Sequence, residues 1–185
     1  MSVRVIAGQW RGRKLVTPEG ETTRPTAERT RETLFSMLLS RLGSFDGLAV
    51  ADLFAGSGAL GIEALSRGAT TCVFVEQDPP AIRALRTNIA NLGVPAQCDV
   101  RASSVLSLGP AKAPLDLILL DPPYRSGAGA VALDKLVRLG WINAATWISL
   151  ETATDEEPKL RGYDAVADRR VGKARITLLR HVPAG

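Results

Sequence analysis

Leu48-Ala-Val-Ala-Asp-Leu-Phe-Ala-Gly-Ser-Gly-Ala-Leu-Gly61 reads as a buried strand over 48–53 that runs into a glycine turn and then a helix. Gly56, Gly58 and Gly61 take the G-x-G-x-x-G spacing. Such a turn folds sharply and approaches a ligand closely, while the helix behind it aims backbone N–H groups forward. Alone, this spacing suits any dinucleotide-type cofactor. Two later strand ends narrow it. Cys72-Val-Phe-Val-Glu76 finishes on an acid about where ribose hydroxyls would be bound. Leu115-Asp-Leu-Ile-Leu-Leu-Asp121 then delivers Asp121-Pro122-Pro123-Tyr124.

Around that centre the chain alternates strand and helix, the pattern of a parallel sheet covered on both faces. A helix near 58–67 is broken by Gly68, and strand 72–76 leads to Asp78-Pro79-Pro80, with Asp78 placed to cap the next helix. That helix stops at Gly93. A short strand about 96–100 gives way to a Ser103-Ser104 turn, strand 115–120 follows, and the Gly127–Gly129 loop precedes a helix near 130–139. Trp147–Glu151 is a fifth strand; 162–168 and 174–182 form an antiparallel pair closing the sheet. Ahead of all this, residues 3–16 suggest a small basic hairpin about Gly8–Gly12, and 27–41 a helix with Thr26 as N-cap and Leu34, Met37, Leu38 and Leu42 on one face. The expected architecture is α/β and Rossmann-like, one domain over 1–185 with 1–41 as a basic extension.

The chain has 185 residues, 45% of them hydrophobic, enough for one sizeable core. No apolar run approaches the roughly 20 residues of a membrane span, and Met1-Ser2-Val3-Arg4 lacks the apolar segment of a secretory signal. Cys72 and Cys98 read as buried thiols of a cytoplasmic protein. With His181 as the single histidine, neither a zinc site nor a Ser-His or Cys-His pairing is suggested. Charge is segregated: +4 over residues 1–41, −5 over 42–168 and +5 over 169–185. Basic ends flanking an acidic middle point to an anionic partner touching both termini, most naturally nucleic acid. Trp10, between Gln9 and Arg11, can stack on a base or cap the edge of the core.

In an open parallel sheet, ligands lie outside the carboxyl ends of the strands. Asp52, the glycine turn, Glu76, Ser103 and Asp121 all fall there. Glu76 is the expected bidentate acceptor for a ribose diol; Asp52 can order the glycine turn or meet a cationic group of a cofactor. Asp-Pro-Pro-Tyr has a mechanical reading. The nitrogen of a base's exocyclic amine is a poor nucleophile, because its lone pair is delocalised into the ring. Asp121 and the carbonyl of Pro122, fixed by two prolines, can hold the N–H groups and aim the lone pair at a methyl sulfonium. Tyr124 would stack on an extruded base.

On these residues the chain resembles class I S-adenosylmethionine-dependent methyltransferases, and more narrowly the RsmD family, bacterial enzymes that methylate N2 of a guanine in 16S (small-subunit) ribosomal RNA. The narrower likeness rests on Arg4-Val-Ile-Ala-Gly-Gln-Trp-Arg-Gly-Arg-Lys14, Arg24-Pro-Thr-Ala-Glu-Arg-Thr-Arg-Glu-Thr-Leu-Phe35, Asp52-Leu-Phe-Ala-Gly-Ser-Gly58 and Asp121-Pro-Pro-Tyr124. It implies a seven-stranded sheet and S-adenosylmethionine held by Asp52, Ala55, Gly56, Ser57, Gly58, Glu76, Gln77, Ser103, Ser104 and Asp121. Asp121, Pro122 and Tyr124 would be catalytic, and Arg4, Trp10, Arg11, Arg13, Lys14, Arg24, Thr26, Arg29, Arg31 and Arg125 would meet RNA. Ser103 and Ser104 stand where such enzymes commonly have Asp or Asn against the adenine. The implied partner is 16S ribosomal RNA within the small subunit or an assembly intermediate, met by a monomer without metal. A DNA adenine-N6 methyltransferase is the alternative, though 185 residues leave little room for a target-recognition segment. Glutamine methylation, a non-catalytic RNA-binding module and an NAD-dependent dehydrogenase each leave either the basic ends, the glycine turn or Asp121–Tyr124 without a use.

Overall fold

The computed structural model describes residues 3–19, 25–158 and 160–183. Two short strands, β1 (Val3–Arg4) and β2 (Lys14–Leu15), pair antiparallel and precede helix α1 (Pro25–Leu42). There follow β3 (Ala49–Leu53), α2 (Ala59–Ser66), β4 (Thr71–Glu76), α3 (Pro79–Leu92), β5 (Cys98–Ala102), β6 (Leu117–Leu120), α4 (Ala128–Arg138), β7 (Trp147–Ala153), β8 (Tyr163–Val171) and β9 (Ala174–His181). The seven strands from β3 onward form one sheet in the order β5-β4-β3-β6-β7-β9-β8. β3 to β7 run parallel; β9 is antiparallel to β7, and β8 to β9.

Both faces of the sheet are covered, and the pleat shows how. In β6, Leu117 and Leu119 pack into a core with Phe35, Leu38, Ile62, Leu65, Phe74 and Leu85 from α1, α2, β4 and α3. Ile118 and Leu120 point the other way, onto Leu133, Leu136, Trp141 and Ile148. A strand buried on both sides has no polar alternation, hence Leu-Ile-Leu-Leu.

Three expectations about element ends change. α1 begins at Pro25, so Thr26 lies inside its first turn rather than capping it; proline's fixed φ suits the first helical position. Arg24 and the Thr26 side chain lie outside the described residues. Asp78 precedes α3 with extended backbone, but its side chain makes no cap bond. Its own N–H instead donates to Glu76 Oε2, at 2.9 Å.

The basic hairpin is fastened to the sheet-covering helices by buried polar groups. Glu63 of α2 is fully buried. Its carboxylate accepts from the N–H groups of Ile6 (2.8 Å) and Ala7 (3.0 Å) and from Arg67 Nε (2.8 Å). Ser66 Oγ accepts from Trp10 N–H at 3.0 Å and donates to the Ala7 carbonyl at 2.7 Å. Asn88 of α3 accepts from Val16 N–H (2.7 Å) and donates to the carbonyls of Val16 and Ser57. The same side chain thus touches the hairpin's exit and the glycine turn.

Candidate active site

β3 and β6 are neighbours, with Leu53 beside Leu120. From that seam the sheet grows in opposite directions, β4 and β5 beyond β3 and β7 beyond β6. A cleft opens where strand order reverses, outside the carboxyl ends. Here it is a cavity of about 470 Å³, within the range of roughly 300–1,000 Å³ typical of small-molecule sites. Every parallel strand supplies it: Phe54 follows β3, Glu76 ends β4, Ser103 follows β5, Asp121 to Tyr124 follow β6, and Glu151 lies on β7.

The three glycines do different work. Gly56 has φ +57° and a Cβ there would meet nothing within 4 Å, so its conformation alone calls for glycine. A Cβ on Gly58 would stand 2.4 Å from Leu85 Cδ1, and one on Gly61 2.4 Å from the Phe74 ring. Gly58 and Gly61 therefore let helix and sheet approach. A side chain at Gly58 would therefore meet Leu85 before any ligand. Ala55 N–H donates to Val75 O, and Gly58 N–H to Ala55 O, closing the turn.

Asp52 sits beneath the turn, 1% exposed, with Oδ2 accepting from Gly61 N–H at 2.9 Å. It orders the turn, one of the two roles expected of it. Burial pushes its carboxyl up to about 8, with Glu76 adding to the rise and the Gly61 N–H opposing it. Glu76 spans the turn from the other side. Oε1 accepts from Gly56 N–H (2.8 Å), and Oε2 from Gln77 (3.0 Å) and Asp78 (2.9 Å). A carboxylate has about four lone-pair sites, so a ribose diol finds one open unless it displaces a turn amide. Ser104 Oγ is committed to Leu106 N–H, whereas Ser103 Oγ reaches only the Ser104 carbonyl, at 3.3 Å. Ser103 is the freer hydroxyl on the cavity wall.

Opposite these lie Asp121 and Tyr124. Asp121 opens to the cavity by its surface, yet its carboxyl is crowded by protein, and that crowding governs its proton affinity. Desolvation pushes it well above the carboxylate range, and a hydrogen bond with the Glu151 carboxyl and the charge there push the same way. Tyr124 Oη donates to Glu151 Oε2 at 2.8 Å. Burial and this bond to Glu151 push the phenol up. Phe54 and Arg125, the two non-glycine residues with positive φ among those described, flank this loop at +61° and +60°, where strained backbone commonly holds a site in shape. Glu151 was not singled out from the sequence, although it ends the fifth expected strand.

The expected RNA contacts divide. Arg4, Arg11, Arg13, Lys14 and Arg29 are exposed, and Arg13 Nη2 also donates to the Asn91 carbonyl. Trp10 is 9% exposed and packed in the core, so it caps the core and offers no stacking face. Arg31 is 7% exposed and paired with Glu63 at 3.8 Å; a guanidinium buried beside a carboxylate is not open to a phosphate. Arg125 is exposed but bonded to Asp155 at 2.9 Å. At the other end, Arg169, Arg170 and Lys173 are exposed, and α1 packs beside β8 and β9, with Arg41 Nη2 on the Val166 carbonyl. α1 thus reaches the β8–β9 hairpin that carries the second basic segment. Among the described residues no helix is long and apolar enough to cross a membrane.

Comparison with known proteins agrees with this architecture. Ribosomal RNA small subunit methyltransferase D of Escherichia coli K12 is 37% identical over 153 residues, covering 83% of this chain and 76% of its own length. The Haemophilus influenzae protein of the same name is 38% identical over 162 residues, covering 83% and 80%. The structure of Escherichia coli yhhF superposes with a TM-score of 0.84 at 30% identity over 100% of both chains. The family model described as "Conserved hypothetical protein 95" matches residues 3–180. By that match and these relatives, the chain belongs to this family, the RsmD family that its N-terminal segments and its Asp-Pro-Pro-Tyr loop resemble.

Proposed function

We propose that the chain transfers a methyl group from S-adenosylmethionine to the exocyclic N2 of a guanine in small-subunit ribosomal RNA, as a cytoplasmic monomer acting on the subunit or an assembly intermediate. The coarser activity, ribosomal RNA methylation, follows its relatives. One observation carries the chemistry: Asp121-Pro-Pro-Tyr124 and the Glu76-bridged glycine turn meet in one cavity at the strand reversal.

The residues fit the cofactor. Glu76, Asp78, Asp121 and Glu151 line the cavity with, among the described lining residues, no Lys, Arg or His, which suits a ligand of net positive charge. When bound, S-adenosylmethionine supplies an electrophilic methyl on a sulfonium. Glu76 and Gln77 would hold the ribose, Ser103 the adenine, and the 55–58 turn the remainder. Asp121 Oδ and the Pro122 carbonyl accept the amine's N–H groups and turn its lone pair into the cavity. Nitrogen must shed one proton as it is alkylated, and the Asp121 carboxylate receives it. Tyr124 stacks on the base. Arg4, Arg11, Arg13, Lys14 and Arg29 hold phosphates, so residues 1–41 serve as the RNA-binding extension.

The test is single-turnover transfer of tritiated methyl to small subunits from cells lacking this protein, with the label mapped. Label on guanine N2, lost in Asp121→Ala while S-adenosylmethionine affinity stays within a few-fold, supports the reading. Label on another atom, or transfer by a folded Asp121→Ala enzyme, refutes it.

A further inference from the structure

Glu151 is an acid of the cavity that the mechanism above leaves without work. It lies on β7, beside the position just past β6 that Asp121 holds, in the parallel pairing that sets Leu120 beside Leu150. It accepts the Tyr124 hydroxyl at 2.8 Å and lines the same cavity as Asp121. It also lines a second cavity, of about 430 Å³, on the far side of Pro122 and Pro123, so it forms part of the partition between the two. Two carboxyls set side by side in one cavity do not readily ionise together, because the charge on one opposes the charge on the other, and the pair can keep one proton between them.

We propose that Glu151 is a positioning residue of the transfer site, which holds Tyr124 by its hydroxyl and shares one proton with Asp121, so that Asp121 can serve the target amine only once that proton has left. The inference rests on the function proposed above for Asp121 and Tyr124. A carboxylic acid is a weaker acceptor for an amine N–H than a carboxylate, and it cannot take the proton that nitrogen sheds. Glu151 thereby sets the pH at which Asp121 becomes competent. The groups facing the pair are all acidic or neutral: Asp52 under β3, Glu76 at the end of β4, Tyr124 in the same loop, and Glu156 behind Tyr124. Arg125, next in the chain, turns outward to Asp155. Among the described residues no cation stands against the pair, so nothing offsets the repulsion between two charges there. The sign follows: transfer rises as pH climbs through the titration of the pair, and removing the charge at Glu151 moves that rise to lower pH.

Two measurements test this. The first needs no substrate: the carboxyl 13C shifts of Asp121 and Glu151 in the free protein, assigned by Asp121→Asn and Glu151→Gln, followed against pH. The expected result is a coupled two-step titration, with the Asp121 step falling by at least about one pH unit in Glu151→Gln. Independent single-step titrations, or an unmoved Asp121 in the variant, overturn the proposal. The second is the pH profile of single-turnover transfer. Glu151→Gln keeps an oxygen for the Tyr124 hydroxyl and is expected, at saturating cofactor, to shift the inflection down by the same amount. A lowered plateau with the inflection in place would show Glu151 to be structural only, and overturns the proposal. If the carboxyls titrate as expected while wild-type protein transfers nothing to small subunits, the shared proton stands and the proposed function falls.

Discussion

Replacing Asp52 with Asn tests what holds the glycine turn. The buried carboxyl, raised from 3.8 to about 8, binds a proton in the folded chain that the unfolded chain releases near pH 4. Between those values the folded state therefore holds one more proton, and stability falls as pH rises, by about 1.4 kcal/mol per pH unit. Integrated over that window, the ceiling is about 6 kcal/mol, and relaxation around the ionised group would leave on the order of half. Even half is a large share of the roughly 5–15 kcal/mol that stabilises a domain. Asn keeps an oxygen for the Gly61 N–H, 2.9 Å away in the native turn, and removes the titration. The experiment is urea unfolding of cofactor-free wild type and Asp52→Asn at intervals from pH 4 to pH 9. Wild type should be the more stable near pH 4 to 5, since the variant buries an amide in place of an acid hydroxyl. The variant should gain steadily, by about 2–3 kcal/mol relative to wild type at pH 8 and above. Parallel curves across the window would refute a buried, proton-holding Asp52.

The glycines should separate by assay. Gly58→Ala, forced against Leu85 at φ +86°, should cost about 1–3 kcal/mol of unfolding free energy, while Gly56→Ala, open on its Cβ side, should cost about 1–2 kcal/mol from backbone strain alone; equal losses well above 3 kcal/mol would contradict the open setting of Gly56. Glu63→Ala strands two guanidinium groups and two amides and should cost about 3–5 kcal/mol, with hydrogen exchange at Ile6 and Ala7 accelerating more than in β6; uniform acceleration would show that the hairpin is not held there. Replacing Arg11, Arg13 and Lys14 together with Ala should flatten the slope of log K against log salt for RNA binding without changing affinity for S-adenosylmethionine. An unchanged slope would remove the hairpin from the RNA surface, and adding Arg31→Ala should change stability far more than slope.

Much of the site was legible because strand ends advertise themselves. Asp52, Glu76, Ser103 and Asp121 each follow or finish an apolar run, and the parallel pattern predicts that such ends converge. Glu151 carried the same signal, but its strand continues to Ala153 and its partner Tyr124 is 27 residues away; no local pattern announces a carboxyl pair across two strands. Trp10 and Arg31 were open to misreading for the opposite reason. Among basic residues an indole and a guanidinium look like nucleic-acid ligands. Only the packing of the hairpin on α2 shows that one fills the core and the other neutralises Glu63. Glu63 itself reads as a helix-surface acid, since its partners Ile6 and Ala7 stand more than 50 residues earlier. The glycine spacing was visible, though not that Gly58 and Gly61 serve interior packing.

The hairpin's fastening also bears on the order in which the chain acquires its parts. Residues 3–16 leave the ribosome before Glu63, Ser66 and Asn88, which hold their backbone and follow 56 to 72 positions later. Contacts at such separation form only after the intervening chain has closed its loops. The basic segment must therefore wait, unstructured, until α2 and α3 have packed on the growing sheet. A nascent or unfolded chain carries the arginines without the surface that arranges them. If the hairpin meets RNA as proposed, that recognition reports a completed methyltransferase core, and a hairpin transplanted to another scaffold would arrive without the side chains that give it shape.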